Sequence, residues 1–159
     1  MNSKLKVLLV DDHPLVREWL TSLIDQQPDM AVCGEAEDIQ GAIRILKTAS
    51  PDIAVVDLSL REASGLELVK TIKAKWPLVG IVVLSMHDEE VYAERCIRAG
   101  ARGYVMKRES TKRIITAIHE VHAGRLCVSE QMAASFAEKF IGGRAGGQSG
   151  LQELSDREL

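Results

Sequence analysis

Ile53-Ala-Val-Val-Asp57 decides the fold. Four apolar, partly β-branched residues run straight into one carboxylate. A short unbroken apolar run predicts a strand buried on both faces, the environment of a parallel sheet. The same pattern recurs three times. Val7-Leu-Leu-Val10 runs into Asp11 and Asp12, Ile81-Val-Val-Leu84 into Ser85, and Tyr104-Val-Met106 into Lys107. In open parallel sheets ligands bind beyond the carboxyl ends of the strands. The four runs therefore deliver three carboxylates, a hydroxyl and an ammonium to one edge.

Helical patterns fill the intervals. Leu5 to Val10 is the first strand, and Asp12-His13-Pro14 opens a helix, since proline suits the first turn and an acid its positive end. Leu15, Trp19, Leu20, Leu23 and Ile24 give that helix an apolar stripe with a period near 3.6, and Pro28 stops it. Met30 to Ala36, weakened by Gly34, reads as an edge strand. Asp38 caps a second helix with Ile39, Ala42, Ile43 and Leu46 inward. A third helix runs from about Gly65 to Trp76, with Leu66, Val69 and Ile72 inward. Asp88-Glu89-Glu90 opens a fourth, which Gly100 ends in a left-handed cap. Ser110 caps a fifth, with Ile114, Ile115, Ile118 and Val121 inward and Gly124 closing it. Five strands alternating with five helices predict an α/β, doubly wound parallel sheet covered on both faces.

This architecture accounts for residues 1–125. Residues 126–150 read as a short helix, Ser129 to about Ile141, and a glycine-rich linker, Gly142 to Gly150, with five glycines in nine residues. Residues 151–159 are too few to fold alone and are expected to open a second, truncated domain. The 159 residues are 46% hydrophobic with a net charge of −3, which gives a core but no basic footprint for nucleic acid. No apolar run is long enough for a membrane helix, and the N-terminus lacks a signal-peptide core. Cys33, Cys96 and Cys127 form no CxxC pair and read as reduced, buried or half-buried thiols of a cytoplasmic protein.

Three carboxylates at one edge repel unless a cation joins them. Oxygen-only ligation favours Mg²⁺. With Lys107 and the Ser85 hydroxyl nearby, the set is a cradle for a phosphoryl group, whose transfer needs chiefly positioning and charge neutralisation. A carboxylate can itself be the nucleophile. Asp57, alone on the central strand, is the candidate, while Asp11 and Asp12 form a pair suited to the metal. Each residue also has a bland reading as a helix cap or solvated acid, but the five together do not fall into such a set easily by chance.

Val10-Asp-Asp-His-Pro14, Val56-Asp57, Leu84-Ser85, Ala99-Gly-Ala101 and Gly103-Tyr-Val-Met-Lys107 resemble the receiver domain of bacterial two-component response regulators of the LuxR/NarL (FixJ) type. The resemblance implies a flavodoxin-like (CheY-like) fold with sheet order 2-1-3-4-5. It implies that Asp57 is the phosphoacceptor for a sensor histidine kinase or phosphotransfer protein. Asp11, Asp12, Asp57 and the backbone carbonyl of Ser59 would hold Mg²⁺, Ser85 and Lys107 would contact phosphoryl oxygens, and Ser85 and Tyr104 would switch together. It further implies self-catalysed phosphotransfer and dephosphorylation rather than enzymatic turnover, and a homodimer on phosphorylation. Leu154-Ser-Asp-Arg-Glu-Leu159 resembles the opening of a LuxR-type helix-turn-helix domain, so promoter DNA would be reached only through that C-terminal domain, and no membrane is involved. Two positions depart from the family pattern: Arg108 and Arg61 stand where many receivers have proline.

A haloacid-dehalogenase-like phosphatase is the competing reading, but it calls for Asp-x-Asp after the first strand, where this chain has adjacent Asp11-Asp12. An interaction module that is never phosphorylated is a third. His119 and His122, three apart on a helix, could share a metal but read more simply as surface imidazoles. His13, near the acids, could act as a base but reads more simply as a loop residue beside the metal site, and His87, after the Ser85 loop, could tune access to the phosphoryl group. Lys107 to Arg113 is a local basic run, read as a solvated helix start.

Overall fold

The computed structural model describes residues 4–58, 60, 65–86, 90–107, 109 and 111–145. Two compact units divide at Cys127 and Val128. The first holds five strands and five helices: β1 (Leu5–Val10), α1 (Pro14–Asp25), β2 (Met30–Ala36), α2 (Ile39–Ala49), β3 (Ile53–Asp57), α3 (Gly65–Lys75), β4 (Gly80–Ser85), α4 (Glu90–Ala99), β5 (Gly103–Met106) and α5 (Thr111–His122). The strands form one parallel sheet in the order β2-β1-β3-β4-β5. This is the flavodoxin-like, doubly wound order, and β2 lies at the edge as its weaker pattern predicts.

All five residues of β3 are buried, as a central strand covered on both faces requires. Alternate residues face opposite ways. Val7, Leu9, Val55, Val82, Leu84 and Val105 join Leu20 and Ile24 of α1 and Ile114, Ala117, Ile118 and Val121 of α5 in one core cluster. Each fully buried side chain of this size contributes about 1.5–3 kcal/mol. Leu8, Val10, Ala54, Val56, Ile81 and Val83, equally buried, point to the other face.

The inward stripe of α1 differs from the expected one. Leu15 is 79% and Trp19 42% exposed, whereas Val16 and Leu23 pack on the core with Leu20 and Ile24. Residues 15 and 19 lie about 100° round the helix from 16 and 20, so a stripe containing both pairs is wider than the sheet can cover. In α3, Leu68 is buried beside Val69 and Ile72 while Leu66 is only half-buried. The caps follow the sequence: Asp38 accepts from Gly41 N at 2.7 Å, and Gly100 and Gly124 take positive φ of 128° and 86°. Ser110, Asp88 and Glu89 lie outside the described residues.

In the second unit, α6 (Glu130–Ala145) starts where Ser129 Oγ accepts from Met132 N at 3.1 Å. It continues past Ile141, where the glycines predict an end, through Gly142, Gly143 and Arg144. Glycine lowers helix propensity by about 1 kcal/mol per residue without forbidding the conformation. The rest of the expected linker and Leu151 to Leu159 lie outside the described residues. Among the described residues no helix is long and apolar enough to cross a membrane.

Candidate functional site

The sheet register brings the strand-end groups together. Val10 pairs with Val56, so Asp11 and Asp57 follow side by side. Asp57 pairs with Leu84 and Ser85 with Met106, which puts Ser85 and Lys107 at the same edge. Lys107 N donates to the Ser85 carbonyl oxygen at 2.8 Å, and Leu58 N to that of Leu84 at 2.9 Å. These bonds carry the ladder just past the strand ends and fix where the next side chains leave.

The Lys107 ammonium lies 3.1 Å from Asp57 Oδ2 and 3.2 Å from Asp11 Oδ2. Asp11 and Asp57 are buried to 1% exposure, so this is a low-dielectric pairing in which each charge matters more than at the surface. Burial pulls the Lys107 pKa down, but the Asp57 and Asp11 carboxylates outweigh it and leave the group raised above its ordinary value. One ammonium faces two buried carboxylates, with Asp12 beside them. Asp11 Oδ2 is buried, and the Lys107 ammonium is the cation it faces.

Asp11, Asp12, His13 and Asp57 each offer a ligand atom, all within 4.8 Å of one another. This is the group of donors that could hold a metal ion among the described residues. The predicted Ser59 carbonyl, Arg61, His87 and Arg108 fall outside those residues. Ser85 and Tyr104 are both buried. Tyr104 pairs with Val83, two residues before Ser85, so both belong to the same face of the sheet. His119 does not share a donor set with His122: its Nε2 meets Asp29 Oδ2 at 2.8 Å.

Four residues to which sequence reading assigns no part in the site shape it. Arg17 Nη1 donates to the Asp11 carbonyl oxygen at 2.6 Å, fixing the loop that carries both acids. Glu109 Oε2 accepts from Met106 N at 2.7 Å, anchoring the residue before Lys107. Gly65 N donates to the Leu58 carbonyl oxygen at 2.9 Å, closing the loop after Asp57. His13 Nδ1 stands among the carboxylates, 3.1 Å from Asp11 Oδ1, 3.0 Å from Asp12 Oδ1 and 3.9 Å from Asp57 Oδ2. The only sequence signal for Arg17 is a cation one turn into α1; for Glu109 and Gly65 there is none, because a single side-chain or loop contact to the backbone leaves no periodic trace.

Residues 7–119 match the family model described as the response regulator receiver domain. The transcriptional regulatory protein YxjL of Bacillus subtilis is 36% identical, the match covering 96% of this chain and 69% of that protein. The nitrate/nitrite response regulator NarL of Escherichia coli is 30% identical over 96% of this chain and 70% of its own. Among solved structures, a LuxR-family two-component response regulator from Aurantimonas superposes with a TM-score of 0.80 at 36% identity, covering 87% of this chain and 99% of that one.

Proposed function

This chain belongs to the response regulator receiver domain family, in the NarL/LuxR group of transcription regulators, and on that premise we propose that Asp57 is the phosphoryl acceptor. The observation that carries the reading is the Lys107 ammonium set between Asp57 and Asp11 at 3.1 and 3.2 Å. A buried carboxylate with a fixed cation alongside is arranged to become an acyl phosphate, because the cation that balances the carboxylate can balance the phosphoryl oxygens in turn.

The donor set fits Mg²⁺. The carboxylates of Asp11, Asp12 and Asp57 are hard oxygen ligands, and one ammonium between two buried carboxylates leaves negative charge for an ion to balance. With the Ser59 backbone carbonyl, these residues would hold the ion. When bound, Mg²⁺ supplies the positive charge that lets an anionic donor approach anionic side chains. Asp57 then attacks phosphorus from its carboxylate oxygen, the bond to the donor's leaving group breaks, and the donor's electron pair departs with that group. Lys107 holds one phosphoryl oxygen, and the Ser85 hydroxyl donates to another after moving toward the site. Tyr104 follows Ser85, and the face formed by α4, β5 and α5 changes shape. Hydrolysis by water returns Asp57, so the domain catalyses only its own phosphorylation and release.

The donor is a phosphohistidine on a sensor histidine kinase or phosphotransfer protein, and the cell compartment is the cytoplasm. Phosphorylation favours a homodimer, and promoter DNA is contacted by a C-terminal helix-turn-helix domain of which Leu154–Leu159 is the opening. Residues 1–125 are the receiver and 126–150 the helix and linker. Acetyl phosphate with Mg²⁺, followed by intact mass, tests the central step. The parent gains one phosphoryl group and Asp57→Asn gains none; equal labelling of both refutes the assignment.

A further inference from the structure

We propose that His13 is a nitrogen ligand of the acidic site, so that this chain binds transition-metal dications such as Ni²⁺ and Mn²⁺ through a mixed nitrogen–oxygen set as well as taking Mg²⁺. The inference rests on reading the carboxylates as a cation site. It departs from that reading in the donor set, since an imidazole nitrogen steepens a preference for later transition ions that oxygen ligands show only weakly.

The imidazole is placed by backbone. His13 is followed by Pro14, which biases the preceding residue toward extended conformation, and His13 has φ −100° and ψ 109°. Its N–H donates to Asp11 Oδ1 at 2.8 Å, and its carbonyl oxygen accepts from Arg17 N at 3.1 Å. Its N–H is therefore tied to the loop that carries the acids and its carbonyl to the first turn of α1, which fixes the backbone from which the ring leaves. Nδ1 faces inward, within 3.1 Å of oxygens of Asp11 and Asp12 and 3.9 Å from Asp57 Oδ2. Nδ1 thus faces an oxygen of each carboxylate, and all four donors lie within 4.8 Å of one another.

The rest of the ring reaches solvent, with the side chain 61% exposed. Coordination therefore needs no rearrangement of the core: the lone pair of Nδ1 turns toward an ion held by the carboxylates. Imidazole nitrogen binds Mg²⁺ poorly and Ni²⁺, Co²⁺ and Zn²⁺ well, and affinities rise along the Irving–Williams order. This one residue should therefore add to the preference of the site for transition ions over Mg²⁺.

Pulsed EPR of the 159-residue protein with one equivalent of Mn²⁺ should show coupling to a nitrogen nucleus. The coupling should vanish in His13→Ala and also in Asp57→Asn, which separates this site from other histidines. Calorimetry should show Ni²⁺ affinity falling about tenfold or more in His13→Ala while Mg²⁺ affinity changes little. Circular dichroism checks that the variants fold, and an exposed ring is not expected to be needed for that. Nitrogen coupling absent from the parent, or retained in His13→Ala, overturns the proposal. So does a His13→Ala protein that binds Mg²⁺ and Ni²⁺ equally more tightly, because the ring would then be a competitor for the ion's place. In either case, Mg²⁺ binding and Asp57 labelling by acetyl phosphate would leave the phosphoacceptor reading intact. Absence of any divalent binding would end both.

Discussion

Gly65 presses against the backbone of Asp57: a Cβ at Gly65 would stand 2.2 Å from the Asp57 carbonyl oxygen and 2.9 Å from Leu58 Cα. The obstacle is main chain, which cannot swing aside like a side chain. The start of α3 thus reaches the end of β3 only because residue 65 has no side chain. Gly65→Ala must push α3 away or displace Asp57. We expect a stability loss of about 2 kcal/mol, typical of overpacking at a tight site, read as a lower urea midpoint. Labelling of Asp57 by acetyl phosphate should slow. A variant with the parent's midpoint and labelling rate would show that the loop slides freely.

Asp11, Asp12 and Asp57 crowd one edge with Lys107 as the buried counter-charge. Such a set is held for function at a cost in stability, since like charges a few ångströms apart repel. Asp12→Asn removes one charge without touching the two carboxylates that Lys107 meets. In metal-free buffer it should raise the unfolding free energy by about 1 kcal/mol, the scale of a partly screened carboxylate pair. Mg²⁺ should reverse the order, because an ion at a hundredfold excess over its Kd stabilises the parent by about 2.7 kcal/mol. Thermal melts with and without Mg²⁺ measure both effects. If the ion raised the melting temperature of both proteins equally, Asp12 would have no part in holding it.

Lys107 gives the site a pH signature. Its pKa is raised because the Asp57 and Asp11 carboxylates overcome the opposing effect of burial. A cation whose folded pKa exceeds its unfolded value binds its proton more tightly when folded. The stabilisation is complete below the ordinary value of 10.5 and is lost as pH rises through the folded value. Lys107→Met removes that dependence and leaves Asp11 and Asp57 without the ammonium, which should cost about 3 kcal/mol near neutrality, as for a broken buried pair. Urea midpoints of both proteins from neutral to strongly alkaline pH decide it: the two curves should converge at the alkaline end. Parallel curves would mean that the ammonium adds nothing to the folded state.

The sheet and its edge were legible because they rest on local pattern. Runs such as Ile53–Val56 and Ile81–Leu84 can be read without knowing their neighbours, and a buried parallel strand has only one thing to present at its end, the next polar residue. Asp11, Asp57, Ser85 and Lys107 were found in this way. What sequence did not yield depends on which side of an element meets which neighbour. Leu15 and Trp19 are apolar and helically spaced with Leu20 and Ile24, yet the covering sheet reaches only the Val16–Leu20–Leu23–Ile24 side. Arg17, Glu109 and Gly65 act through single backbone contacts that leave no spacing rule. His13 reads as a bystander in sequence because an imidazole in a loop has no periodic partner; its distances to three carboxylates distinguish it.

Cys96 and Cys33 should differ sharply in reactivity, although both are free thiols. Cys96 is 1% exposed on α4, and burial pushes its pKa up to about 11. Only about one molecule in a thousand then carries the reactive thiolate at pH 8, and that thiolate is shielded from reagent. Cys33, on the edge strand β2, is half-buried; burial raises its pKa too, and the nearby Lys6 ammonium opposes the rise. Iodoacetamide applied to the native protein at pH 8 should therefore alkylate Cys33 well before Cys96, with sites assigned by peptide mass. Labelling of Cys96 should track global unfolding in urea, because α4 has to leave the sheet before the thiol meets solvent. Labelling of Cys96 in native buffer at the rate of Cys33 would mean instead that α4 opens locally while the rest of the domain stays folded.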